Sequence, residues 1–115
     1  MPISTPSRSN DSALAAKLFR GFSDKTRLAI LSELADRELR VTDLQARVGG
    51  SQANISGHLA CLKDCGLVVD RPQGRQTFYR IAAPEIVRLL RAAEQVLALS
   101  GHQIALCPNY RESDA

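Results

Sequence analysis

The chain has 115 residues, a formal net charge of +3, and a composition that is 44% hydrophobic but only 4% aromatic, with no tryptophan. That length supports one hydrophobic core rather than two ordinary domains, and the scarcity of aromatics argues against base stacking on an aromatic platform. No stretch is apolar enough to cross a membrane, the opening Met1-Pro-Ile-Ser-Thr-Pro-Ser-Arg lacks the apolar centre of a secretory signal, and an odd number of cysteines argues against a disulfide framework, so a cytoplasmic protein with reduced thiols is predicted.

Residues 1–10 read as a flexible N-terminal tail. Leu14, Leu18 and Phe22 then recur at helical spacing, predicting a first helix that ends near Gly21. Ser23 is the expected N-cap of a second helix, with Asp24 in its first turn and Leu28, Leu31, Leu34 and Ala35 as its apolar stripe. Thr42 is the expected cap of a short third helix carrying Leu44 and Val48, which stops at Gly49-Gly50. Ser51 caps a fourth helix, whose buried side is Ile55, Leu59 and Leu62 and whose closing glycine is Gly66. A short helix, a glycine turn and a capped helix form the pattern of a helix-turn-helix.

An extended segment begins at Leu67, turns at Pro72-Gln73-Gly74 and returns through Arg75 to Ile81, with Tyr79 and Ile81 inward and Arg75 and Arg80 on the tip and flank. A basic hairpin in this position is a wing. Pro84 suits the first position of a last helix, on which Ile86, Leu90, Ala93 and Leu97 make an apolar seam running to Ser100-Gly101. The predicted class is mainly α with a small β-hairpin, a winged helix-turn-helix. Residues 11–100 are expected to form the winged helix-turn-helix DNA-binding domain and residues 101–115 a C-terminal tail.

Charge supports this reading. Residues 40–80 hold Arg40, Arg47, Lys63, Arg71, Arg75 and Arg80 against Asp43, Asp64 and Asp70, so the basic excess falls on the motif and the wing. In such a fold the N-terminal half of the second motif helix enters the major groove, making Ser51, Gln52, Asn54, Ser56 and His58 candidates for base-edge and phosphate contact. Gln52 and Asn54 suit bidentate contacts to adenine, whereas the imidazole of His58 equally suits a core contact. Lys63, Arg71, Arg75 and Arg80 are candidates for phosphate or minor-groove contact. The bland alternative makes these polar side chains only the wet side of a helix and a soluble surface.

Cys61 and Cys65 stand four residues apart, so both thiols leave one face of the fourth helix. They could pack as small hydrophobes, but they lie to one side of the Ile55-Leu59-Leu62 stripe. A disulfide is awkward, because Cβ atoms at this spacing are about 5–6 Å apart against about 3.5–4.5 Å in a disulfide. A metal spans the gap better, with metal–sulfur bonds of about 2.3 Å for zinc. Cys65 also lies at the negative end of the helix dipole, which disfavours a free thiolate and favours a bound cation. A third ligand is needed, and Cys107 is the remaining thiol; an all-sulfur site selects soft ions.

The segment from Ser51 through His58, Cys61 and Cys65 to Gly66-Leu-Val, followed by Gly74-Arg75 and Tyr79-Arg-Ile81, resembles the ArsR/SmtB winged-helix repressors over roughly residues 13–100. Asp24-Lys-Thr-Arg27-Leu-Ala-Ile-Leu is similar to that family's second helix. Within the family, Cys-Leu-x-x-Cys-Gly-Leu-Val with a tail cysteine is similar to the cadmium- and lead-sensing branch, which implies Cys61, Cys65 and Cys107 as ligands. Cd(II) or Pb(II) is then the inducer, with Zn(II) a further candidate. Arg40 and Thr42 replace the thiols of the family's third-helix site, and Pro84-Glu85-Ile-Val lacks the pattern of its last-helix site.

The resemblance further implies a homodimer through the first and last helices, bound metal-free to a palindromic operator and released by metal. The alternatives are a thiol redox repressor of the same fold, a constitutive DNA-binding protein and an enzyme. No constellation of nucleophile, base and acid supports the last of these.

Overall fold

The computed structural model describes residues 8–106, so Cys107 and Tyr110 lie outside the described residues. Helices α1 (Arg8–Arg20) and α2 (Lys25–Leu34) are followed by β1 (Leu39–Arg40), α3 (Val41–Val48), α4 (Gln52–Asp64), β2 (Val68–Gln73), β3 (Gln76–Ile81) and α5 (Pro84–Leu99). The sheet is antiparallel in the order β1-β3-β2. It is mainly helical with a winged hairpin, as the sequence predicts. Helix α1 already begins at Arg8, inside the stretch expected to be tail.

Several local expectations are corrected by the structure. Asp24, not Ser23, caps α2: its Oδ2 accepts the Arg27 amide at 3.0 Å, while the Ser23 hydroxyl turns back to the Arg20 carbonyl at 2.8 Å. Helix α3 starts at Val41, ahead of Thr42, because the Asp43 carboxylate accepts the Arg40 amide at 3.0 Å and holds the Arg40 guanidinium with both oxygens. This is one half of a capping box, the N3 carboxylate accepting the N-cap amide, reinforced by a charge pair. Pro72 and Gln73 belong to β2, and the turn is Gly74-Arg75, with Gly74 at φ +64. Proline is tolerated there because β2 is an edge strand, so no neighbouring strand needs its missing N–H.

The strand β1 went unpredicted. Two residues cannot display a period of two, yet Leu39 pairs with Tyr79 and Arg40 with Phe78, so β1 ties the wing to the α2–α3 connection. The core gathers Ile30, Leu31 and Leu34 of α2, Leu44 of α3, Ile55, Leu59 and Leu62 of α4, Leu67 and Val68, and Val87 and Leu90 of α5. On α5 the buried side is Val87 and Leu90, with Ile86 packed beside them, whereas Leu97 of the predicted seam is 38% exposed.

Candidate nucleic-acid interface and thiol pair

Helix α4 is fixed at both ends by local chemistry. The Ser51 hydroxyl accepts the Asn54 amide at 3.0 Å, satisfying a donor that the first turn leaves unpaired. At the other end Gly66, at φ +79, donates to the Lys63 carbonyl and Leu67 donates to the Leu62 carbonyl, the paired bonds of a Schellman motif. Ile55, Leu59 and Leu62 are buried, while Ser51, Gln52, Asn54 and Ser56 at the start of the helix are exposed to solvent. All four of those candidates are open to solvent on the first turns of α4. Gln52 also lines a depression with Arg75, Arg40, Thr42 and Thr77, which places the wing tip beside the start of α4.

The basic candidates are not equivalent. Lys63 pairs with Asp70 at 3.0 Å, bridging α4 to β2. Arg71 is held by Glu38 through two hydrogen bonds of 2.7 and 3.1 Å, donates to the Gln73 side chain, and lies over the Phe78 ring at 5.1 Å. Arg80 places Nε 4.0 Å from the same Glu38 carboxylate. The Arg71 hydrogen bonds and charge pull the Glu38 carboxyl below its ordinary range. Arg75, exposed at the turn, has no ion pair among the described residues. Alternation along β2 and β3 puts Arg71, Phe78 and Arg80 on the sheet face opposite Tyr79.

His58 does not join the open surface. It is half-buried, with Nδ1 3.8 Å from Asp24 Oδ2 and 3.5 Å from Arg27 Nη1. Its neighbours are the cap and first turn of α2, so the second of its two readings, a contact inward, describes its position in the fold.

Cys61 and Cys65 are both half-buried and free, side by side at the end of α4. Cys65 packs against the core and closes the helix as its C-cap. Burial pushes the Cys65 thiol above the ordinary range, and the adjacent Cys61 thiol adds to the rise, while Arg20 opposes it. Two soft donors on one helix face fit a thiophilic cation, whose positive charge removes the penalty that each thiolate imposes on the other. Among the described residues no cluster of three or more His, Cys, Asp or Glu side chains completes such a site. The third expected ligand, Cys107, lies just beyond them.

Residues 24–69 match the family profile described as bacterial regulatory protein, arsR family. Over 87 residues the chain is 41% identical to the HTH-type transcriptional regulator CmtR of Mycobacterium tuberculosis, covering 76% of this chain and 73% of that protein. The chain belongs to the ArsR family. This ArsR-family protein is also 32% identical over 92 residues to a Streptomyces lividans protein named "probable mercury resistance operon repressor", covering 80% of this chain and 74% of that one. Its fold is similar to the homodimeric winged helix-turn-helix DNA-binding domain Mb0332 of Mycobacterium bovis, with a TM-score of 0.75, 29% identity, and coverage of 91% of this chain and 99% of that one.

The ArsR-family protein is thus a DNA-binding transcriptional regulator and not an enzyme. Among the described residues no helix is long and apolar enough to cross a membrane. Sequence reading missed Glu38 and Arg27 as members of the site. Arg27 carried a faint signal, three residues after an acidic cap. Glu38 carried none, because its partner Arg71 is distant in sequence.

Proposed function

We propose that this regulator is a homodimeric, metal-responsive repressor, bound to a palindromic operator when metal-free and released when Cd(II) or Pb(II) binds Cys61, Cys65 and Cys107. The observation that carries the reading is the placement of Cys61 and Cys65 side by side at the end of the helix whose start presents Gln52 and Asn54. A soft cation supplies the charge that keeps these thiols deprotonated, and Zn(II) is a further candidate. The resemblance of the Cys-Leu-x-x-Cys segment to cadmium- and lead-sensing members supports the choice of ion. Burial of Cys65 weighs against the redox alternative, since a raised thiol reacts poorly with peroxide.

DNA contact is assigned to Ser51, Gln52, Asn54 and Ser56 on the exposed first turns of α4, with Arg75 at the wing tip. Lys63, Arg71 and Arg80 contribute basic charge from their ion-paired positions, and His58 acts from behind the helix. Dimerisation through α1 and α5 is supported by apolar side chains that this protomer leaves uncovered: Leu14 and Phe19 on α1, Val96 and Leu99 on α5. The homodimeric relative supports a dimer of this chain.

The test uses operator duplexes selected from a random library by the metal-free protein. Cadmium titration should raise ultraviolet thiolate-to-metal absorption and weaken operator binding together, and both effects should disappear in Cys61→Ser/Cys65→Ser. Metal-free protein that fails to select DNA, or cadmium that binds without changing operator affinity, would overturn the proposal.

A further inference from the structure

Arg27 joins three elements through one guanidinium. Its Nη2 donates to the Arg20 carbonyl at 2.8 Å and its Nε to the Gly21 carbonyl at 3.3 Å, gripping the last turn of α1 at the negative end of the helix dipole. Its Nη1 lies 3.5 Å from Nδ1 of His58 in the middle of α4, and Asp24 approaches the same imidazole nitrogen at 3.8 Å.

The other side of that turn lies beside Leu67 and Cys65. Gly21 is buried, and a Cβ there would stand 2.3 Å from Leu67 Cδ1 and 3.5 Å from the Cys65 Cβ. Lys17 and Asp64, at 3.6 Å, make a second link between α1 and the end of α4. Leu67 fills the space that a Gly21 side chain would take, so the segment that follows Cys65 packs directly on the turn whose carbonyls Arg27 holds.

Cys61, Cys65, Gln52 and Asn54 all sit on one helix. A ligand at the thiols can therefore alter DNA reading by changing how α4 is held against the rest of the domain. We propose that Arg27 is the positioning residue for that change, passing displacement of the Arg20-Gly21 turn to His58 and so to the DNA-reading half of α4. The inference rests on the proposed metal response for its physiological trigger, but the mechanical link is independent of any metal.

The substitution Arg27→Lys keeps the charge, but one ammonium cannot span both carbonyls and the imidazole. In full-length protein, cadmium affinity without DNA should be retained, while the factor by which cadmium lowers operator affinity falls at least about fivefold. His58→Gln should produce a similar loss, and the double variant should lose no more than either single one, as expected for residues in one pathway. An undiminished factor in Arg27→Lys, or additive losses, would overturn the proposal.

A metal-free arm separates this inference from the metal reading. Cys65→Met enlarges the side chain facing Gly21, and the His58 ring resonances, followed by proton–carbon NMR, should shift in that variant but not in Cys65→Met/Arg27→Lys. Unmoved His58 resonances in Cys65→Met would overturn the link whatever cadmium does. A cadmium-insensitive wild type whose metal-free arm behaves as expected removes the metal reading and leaves the link standing.

Discussion

Glu38 and Arg71, 33 residues apart in sequence, are joined by two hydrogen bonds of 2.7 and 3.1 Å that bind the wing to the segment before β1. The same carboxylate faces Arg80, so two of the wing's arginines are partly neutralised within the fold while Arg75 at the tip is not. Each arginine that meets a phosphate adds about one counterion to the salt dependence of binding. Arg75→Ala should therefore flatten a plot of log affinity against log salt by about one unit, and Glu38→Gln should steepen it and raise affinity. Salt titrations of operator binding measure both. An unchanged slope in Arg75→Ala removes the wing tip from the interface.

The Asp43 carboxylate, held by Arg40, titrates at about 2. Its unfolded value is near 4, so the pair stabilises the fold above about pH 4, and that contribution is lost as pH falls toward 2. Asp43→Asn should lower the Tm at pH 7 by a few degrees, since losing a helix cap costs about 1 kcal/mol. Its deficit relative to wild type should shrink between pH 4 and pH 2. Thermal unfolding followed by circular dichroism across this range decides it, and a deficit that stays constant would contradict the assignment.

Two glycines should respond oppositely to alanine. At Gly21 the added methyl meets Leu67, and overpacking of this kind costs about 1–3 kcal/mol. At Gly57, within α4, nothing lies within 4 Å of the added carbon, and replacing an interior helical glycine stabilises by about 0.5–1 kcal/mol. Chemical denaturation of the two variants should bracket the wild type, and a stable Gly21→Ala would show that the α1 turn is not pressed against Leu67 in solution.

Cys65 should alkylate slowly at neutral pH. Burial and the neighbouring thiol raise its pKa, so its reaction with iodoacetamide, read by mass spectrometry of the metal-free protein, should need more alkaline pH than that of a free cysteine thiol in the same mixture. Rapid modification at pH 7 would instead favour the redox reading.

The sequence by itself determined the helix-turn-helix, the wing, the caps at Ser51 and Gly66 and the common face of Cys61 and Cys65, because each rests on neighbours within a few positions of one another. Glycine turns, apolar periodicity and capping are local physics, visible in any window of the chain. Only the tertiary structure decided that Arg71 and Arg80 face Glu38, that His58 turns toward Asp24 and Arg27, that Leu39 and Arg40 form a third strand, and that Gly21 carries no side chain because Leu67 occupies the space. Those contacts join residues far apart in sequence, such as Arg27 and His58 at a separation of 31. A charged side chain has many partners within its reach along the chain, and packing of the shared core is what selects the one it meets.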